Sequence, residues 1–208
     1  MRTNRNWLWA GLLPVMLLIG CGGSKEEEEE KKKEESVSTL GAVGALKEMA
    51  NQAEELSKKG PVATVDFRSL KELLPADADG LARKEATGEK NGAAGFTIST
   101  ATGKYSNDDG SETIELSLID GGGSAMMMGL AAWSMIEVDK ETENGYEKTT
   151  TMNGNKAYEK YDNANKDGEI AVLVNKRFIV SAKGRGVSMD KIKAALEDID
   201  LDKLADLK

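Results

Sequence analysis

What most constrains this chain is a repeated alternation of apolar and polar residues, broken by glycine-containing turns, from about residue 96 to residue 182. Phe96, Ile98 and Thr100 share one face with Tyr105 following, and Ile114, Leu116 and Leu118 repeat the pattern after Asp109-Gly110. A second set runs from Tyr146 to Thr151, through Asn153-Gly154 to Ala157–Tyr161, a turn around Asp167-Gly168, Ile170–Val174 and Phe178–Ala182. A period of two belongs to strands with one buried face. Asn-Gly and Asp-Gly between such runs supply the positive φ that tight hairpins need. The pattern predicts a meander of antiparallel hairpins, with a further polar strand at residues 80 to 88 and a short strand from Val62 to Phe67.

Helical spacing appears around these strands. Arg68 to Leu74 reads as a helical turn that brings Leu70, Leu73 and Leu74 inward before Pro75 stops it. Ser188 is placed to cap a helix from Met189 to about Asp198, with Val187 and Ile192 at staple spacing and Met189, Ile192, Leu196 and Ile199 as its inward stripe. Leu201, Leu204 and Leu207 continue as a terminal turn. The expected class is α+β, an antiparallel meander sheet covered by helices. Its general shape resembles antiparallel folds shared by several small envelope and thylakoid-lumen proteins, a likeness that carries no function.

One internal stretch stands apart. Ser124 is placed to cap a helix from Ala125 to about Ile136 that contains Met126, Met127, Met128, Leu130, Trp133 and Met135 and no charge. A helix apolar on nearly every side is buried, covers a ligand or meets another surface. The readings are a central core helix, a groove for a small hydrophobic ligand or lipid lined by adaptable thioethers, and a partner-binding face. Cu(I) on Met126, Met128 and Met135 suits soft ligands, but positions two apart on a helix point to different sides.

The amino-terminal third carries a different kind of signal. Arg2 and Arg5 precede an uncharged segment from Trp7 to Ile19, too short for the roughly 20 residues of a membrane span. It ends in Leu18-Ile19-Gly20-Cys21, and Cys21 is the chain's only cysteine. This segment resembles a bacterial lipoprotein signal peptide with its lipobox. The resemblance implies cleavage before Cys21, acylation of that cysteine by diacylglyceryl and palmitate-type chains, and attachment to a cell-envelope membrane through the lipid. Gly22 in place of Asp resembles the pattern permitting outer-membrane transfer, facing the periplasm. Ser24-Lys25-Glu26-Glu27 is similar to the acidic signal for surface export in Bacteroidetes-type bacteria.

Residues 21–36 form a charged, low-complexity run that cannot bury enough apolar surface to offset its ordering entropy, so a disordered tether is expected. Residues 37–60 follow as an amphipathic helix, with Leu40, Val43, Leu46, Ala53 and Leu56 at helical spacing and a stop at Gly60-Pro61. The organisation read from the sequence is thus a signal peptide at 1–20, a lipidated tether at 21–36, a helix at 37–60 and a globular domain at 61–208. Loss of the leader takes Arg2 and Arg5 and no acid, moving the formal charge from −8 to −10. An acidic body without a basic cluster argues against nucleic acid as a partner.

Catalytic chemistry finds little to work with. The chain has no histidine, which excludes His-dependent triads and imidazole bases. Gly121-Gly122-Gly123-Ser124 lacks the lysine of a phosphate loop. Asn163, Asn165, Asp167 and Gly168 copy half a calcium loop, but Val174 stands where the bidentate Glu belongs. No metal site and no cofactor is expected. The reading is an envelope lipoprotein whose domain binds an envelope protein or supports the envelope without catalysis. The alternatives are a carrier of a small apolar ligand on residues 125–136 and, more weakly, a carboxylate-dependent hydrolase.

Overall fold

Ile114, Leu116 and Leu118 are buried while Glu115, Ser117 and Ile119 between them point the other way, so strand β4 (Thr113–Asp120) defines the two faces of the molecule. The computed structural model describes residues 47, 51, 54, 62–93, 96–122 and 132–208, all in the unit Ala42–Lys208. Among them the other strands are β1 (Asp77–Ala78), β2 (Leu81–Ala93), β3 (Phe96–Ser106), β5 (Asp139–Thr142), β6 (Gly145–Met152), β7 (Asn155–Asp162), β8 (Asp167–Val174) and β9 (Phe178–Arg185). They form one antiparallel sheet in the order β1-β2-β3-β4-β9-β8-β7-β6-β5. The single meander expected is in fact two. After β4 the chain jumps to the far edge and winds back, so that β9 closes against β4 with Leu116 opposite Ala182 and Leu118 opposite Val180.

One face of this sheet carries the core. Helix α1 (Phe67–Glu72) lies over β2 and β3, and α2 (Met189–Glu197) lies over β4, β9 and β8, with α3 (Leu201–Ala205) following. Leu70, Ile192, Leu196 and Leu204 join Ile114, Leu116, Ile170, Val172 and Val180 in one buried cluster. Ser188 caps α2 by accepting from Lys191 N, and Val187 and Ile192 are both buried beside it, as the sequence predicts. The described fold is mostly sheet with a few helices on one side. The expected α+β class with helices covering the sheet holds only in that reduced form.

Three local expectations are corrected. Val62 to Phe67 is not a strand: residues 62–66 run without regular structure and Asp66 caps α1 through Arg68 N at 2.8 Å. Their backbone groups are met by side chains in place of a neighbouring strand. Arg177 Nη2 donates to Ala63 O, Lys90 Nζ to Thr64 O and Val65 N to Asp120 Oδ2. Next, Asp167 and Gly168 are not a turn but the start of β8, opposite Asp162 and Tyr161. Asp162 makes the turn one step earlier by accepting from Ala164 N and Asn165 N. In β3, finally, the inward residues are Ser99, Ala101, Gly103 and Tyr105, while Ile98 and Thr100 are half-buried on the other face. The Tyr105 ring folds back over Gly103, where a Cβ has no room, so bulk at position 105 demands a small residue at 103.

The leader, Cys21 and the tether lie outside the described residues. Of the amphipathic helix only Lys47, Asn51 and Glu54 are described, each helical and exposed, at the spacing of the polar side. Of the expected helix at 125–136, residues 132–136 are described: Ala132–Met135 forms a 3₁₀ turn, not α-helix, and Ile136 follows as an exposed bend.

Candidate functional site

The face opposite the core is organised by register. Successive cross-strand partners on it read Glu85, Lys104, Glu115, Lys183, Glu169, Lys160, Glu147 and Lys140, an unbroken alternation of charge across β2, β3, β4, β9, β8, β7, β6 and β5. Lys104 reaches Glu85 at 2.9 Å and Lys183 reaches Glu169 at 3.4 Å. The Glu85 hydrogen bond holds the Lys104 ammonium above its ordinary range. Opposite charges facing each other across strands contribute roughly 0.2–1 kcal/mol each. The row keeps a sheet face wet without leaving it repulsive.

One step along the strands runs a second row, Ser106, Thr113, Arg185, Asp167 and Asp162, again in successive register. Between the two rows lies a trough of about 700 Å³, whose floor is backbone at Tyr105, Ile114, Gly184, Gly168 and Tyr161. Lys84, on the bulge of β2, closes one end. In the opposite direction along the strands, Ile119, Leu173 and Ile179 form an apolar strip on this same face, and Ile179 is only 6% exposed.

Of the residues singled out from the sequence, Cys21, Met126, Met127, Met128 and Leu130 lie outside the described residues. Trp133 and Met135 are half-buried. The Trp133 ring stands 6.2 Å from that of Tyr158, which projects from β7 on the open face, so the connection between the two meanders lands on this side. The Tyr158 hydroxyl donates to Glu147 at 2.7 Å, and burial first, then this bond, pushes its ionisation up to about 12. Neither Trp133 nor Met135 lines the trough. The trough itself went unseen in the sequence. Its signal, lysine and glutamate alternating between strands, becomes visible only once the register is known.

The two deeply buried carboxylates are committed elsewhere. Asp120, with no exposed surface, accepts from Val65 N, Gly122 N, Arg177 Nε and Arg177 Nη2. Glu159, 3% exposed on the helical side, takes Lys193 at 2.9 Å, the Tyr146 hydroxyl at 3.2 Å and Lys148 at 3.8 Å. Strands β9 and β8 lie between the strands that bear them. Among the described residues no group of three or more acidic, His or Cys side chains is placed to hold a metal, and no helix is long and apolar enough to cross a membrane. No family model, curated protein or solved structure matches the chain.

Proposed function

We propose that this chain is a lipid-anchored envelope protein whose sheet domain is a non-catalytic binding module working through its open face. In this reading Cys21 carries the lipid, residues 22–36 and the helix at 37–60 hold the domain off the membrane, and the α+β domain meets its partner in the water layer. The observation that carries it is the inequality of the two faces. One is packed under α1, α2 and α3, while the other presents the charge-lined trough. The commitment of Asp120 and Glu159 to structural partners supports a domain that binds without reacting.

Two measurements test this reading. Labelled palmitate should enter the protein in its own cells, and Cys21→Ser should abolish the label and release the chain; a labelled or still membrane-bound Cys21→Ser protein overturns the anchor. A photo-crosslinking residue at Ser181 on the open face should trap a partner in the native envelope while the same residue at Glu197 on α2 does not. Equal capture at both positions, or none, removes the open face as the working surface.

The carrier reading keeps one observation in its favour, the apolar strip of Ile119, Leu173 and Ile179. Native mass spectrometry of protein purified from its own host separates the two. A retained apolar molecule establishes the carrier, and a bare chain removes it.

A further inference from the structure

The second row of the trough is electrically lopsided. Lys84, Ser106, Thr113 and Arg185 bring two cations and two hydroxyls to one half, and Asp167 and Asp162 bring two acids to the other. The fold already uses some of these charges. Asp162 is spent on the turn it organises, and Lys84 reaches Asp108 at 3.5 Å in an exposed pair. Arg185 and Asp167 differ. They face each other across β9 and β8, yet make no ion pair, and the Arg185 side chain has no hydrogen-bond or ionic partner among the described residues. Asp167 Oδ1 is shielded from solvent and accepts nothing. An exposed guanidinium without an acceptor and an unpaired carboxylate therefore stand on directly opposed residues of neighbouring strands.

Such an arrangement is complementary to a molecule that carries the reverse pair of charges a short arm apart. The geometry points to a ligand site for a small zwitterion, an oxyanion held by Arg185 with Thr113 and Ser106, joined by a short arm to a primary ammonium held by Asp167. A planar guanidinium takes an oxyanion through two parallel hydrogen bonds, and the neighbouring hydroxyls donate to its remaining oxygens. The ammonium meets the Asp167 carboxylate from the trough side, where that residue lines the wall. A phosphate ester with a two-carbon ammonium arm has this form, whether as free phosphoethanolamine or as the headgroup of a membrane lipid. This inference rests on the open face being the binding surface and adds the chemical class of what it binds.

Titration calorimetry on the full chain in a non-ionic detergent tests it, with O-phosphoethanolamine, inorganic phosphate, ethanolamine and glycerophosphoethanolamine as probes. O-phosphoethanolamine should bind about tenfold more tightly than phosphate or ethanolamine alone, the worth of one added charge-assisted hydrogen bond. Asp167→Asn should erase that preference while leaving phosphate binding in place, and Arg185→Gln should weaken every anionic probe. Thr113→Val, which removes one hydroxyl, gives a second reading should Arg185→Gln alter the far-UV spectrum. Tight binding of the glycerol diester assigns the site to a lipid headgroup, and binding of the monoester alone assigns it to the free compound. Heats that neither substitution changes, or no heat with any probe, overturn the site. If Ser181 still cross-links a partner in that case, the open face stands and only the zwitterion falls.

Discussion

Asp120 ends β4 out of reach of water, and its two oxygens accept four hydrogen bonds, two of them from Arg177 at 2.8 and 3.0 Å. Arg177 is 16% exposed in its side chain and lies over the Phe178 ring, so neither partner can turn to solvent. Removing one member of such a pair strands the other, and Asp120→Ala should cost roughly 3–5 kcal/mol by urea denaturation. A loss under 1 kcal/mol would show that Arg177 finds another acceptor. The tyrosines make a second test at this scale. The chain has four, Tyr105, Tyr146, Tyr158 and Tyr161, and burial is the largest cause pushing each ionisation up, to about 12 for Tyr146 and Tyr158. The fold thus favours the neutral phenol. Its contribution is complete below pH 10, the ordinary phenol value, and is lost as pH rises toward about 12. Tyrosinate absorbance should appear at higher pH in the native protein than in urea, and the denaturation midpoint should fall over that interval. A native titration centred on the ordinary phenol value would contradict the burial described for these rings.

Elements fold here for reasons that differ in how far they show in the sequence. Asn153 and Gly154 both take positive φ, 49° and 75°, so the residue pair alone announces its hairpin. The capping serine and apolar stripe of α2 are equally local, and Ser188→Ala should cost about 1 kcal/mol. What was illegible depends on contacts between distant segments. The inward choice of Ala101 and Gly103 in β3 follows from where the Tyr105 ring lies, and the irregular path at 62–65 follows from acceptors and donors on β2, β4 and the β8–β9 turn. The trough required the register of β3, β4, β9, β8 and β7 to bring its residues together. Two glycines separate these causes experimentally. Gly154 has open space around its missing Cβ, so Gly154→Ala should cost about 1–2 kcal/mol from left-handed strain alone. Gly184 has an ordinary backbone but lies against Val187 and Ile192, so Gly184→Ala should cost about 1–3 kcal/mol by overpacking and loosen α2 from the sheet. Amide exchange in 189–197 should therefore rise in Gly184→Ala and stay unchanged in Gly154→Ala.

At the scale of the molecule, two meanders share one sheet and touch along a single seam, β4 against β9. The chain between them lands on β7 through Trp133, and the other two tryptophans are Trp7 and Trp9. In a chain carrying Trp7→Phe and Trp9→Phe, Trp133 fluorescence reports one landing point of that connection, while far-UV dichroism reports the sheet. The two should trace one coincident unfolding transition, as a cooperative single domain does. Fluorescence changing at lower denaturant would mean that the connection lets go first and that the meanders are held by their seam and by α2 across it. The three side-chain grips on residues 63 to 65 have a mechanical corollary. A pull arriving from the amino-terminal side meets Arg177, Lys90 and Asp120 in turn, the first and last of them one ion pair at the β4–β9 seam and the second on β2, before it can reach the first strand. The strain is shared between β2 and the middle of the sheet instead of peeling the fold from one margin, so a tug on residue 62 does not unzip it.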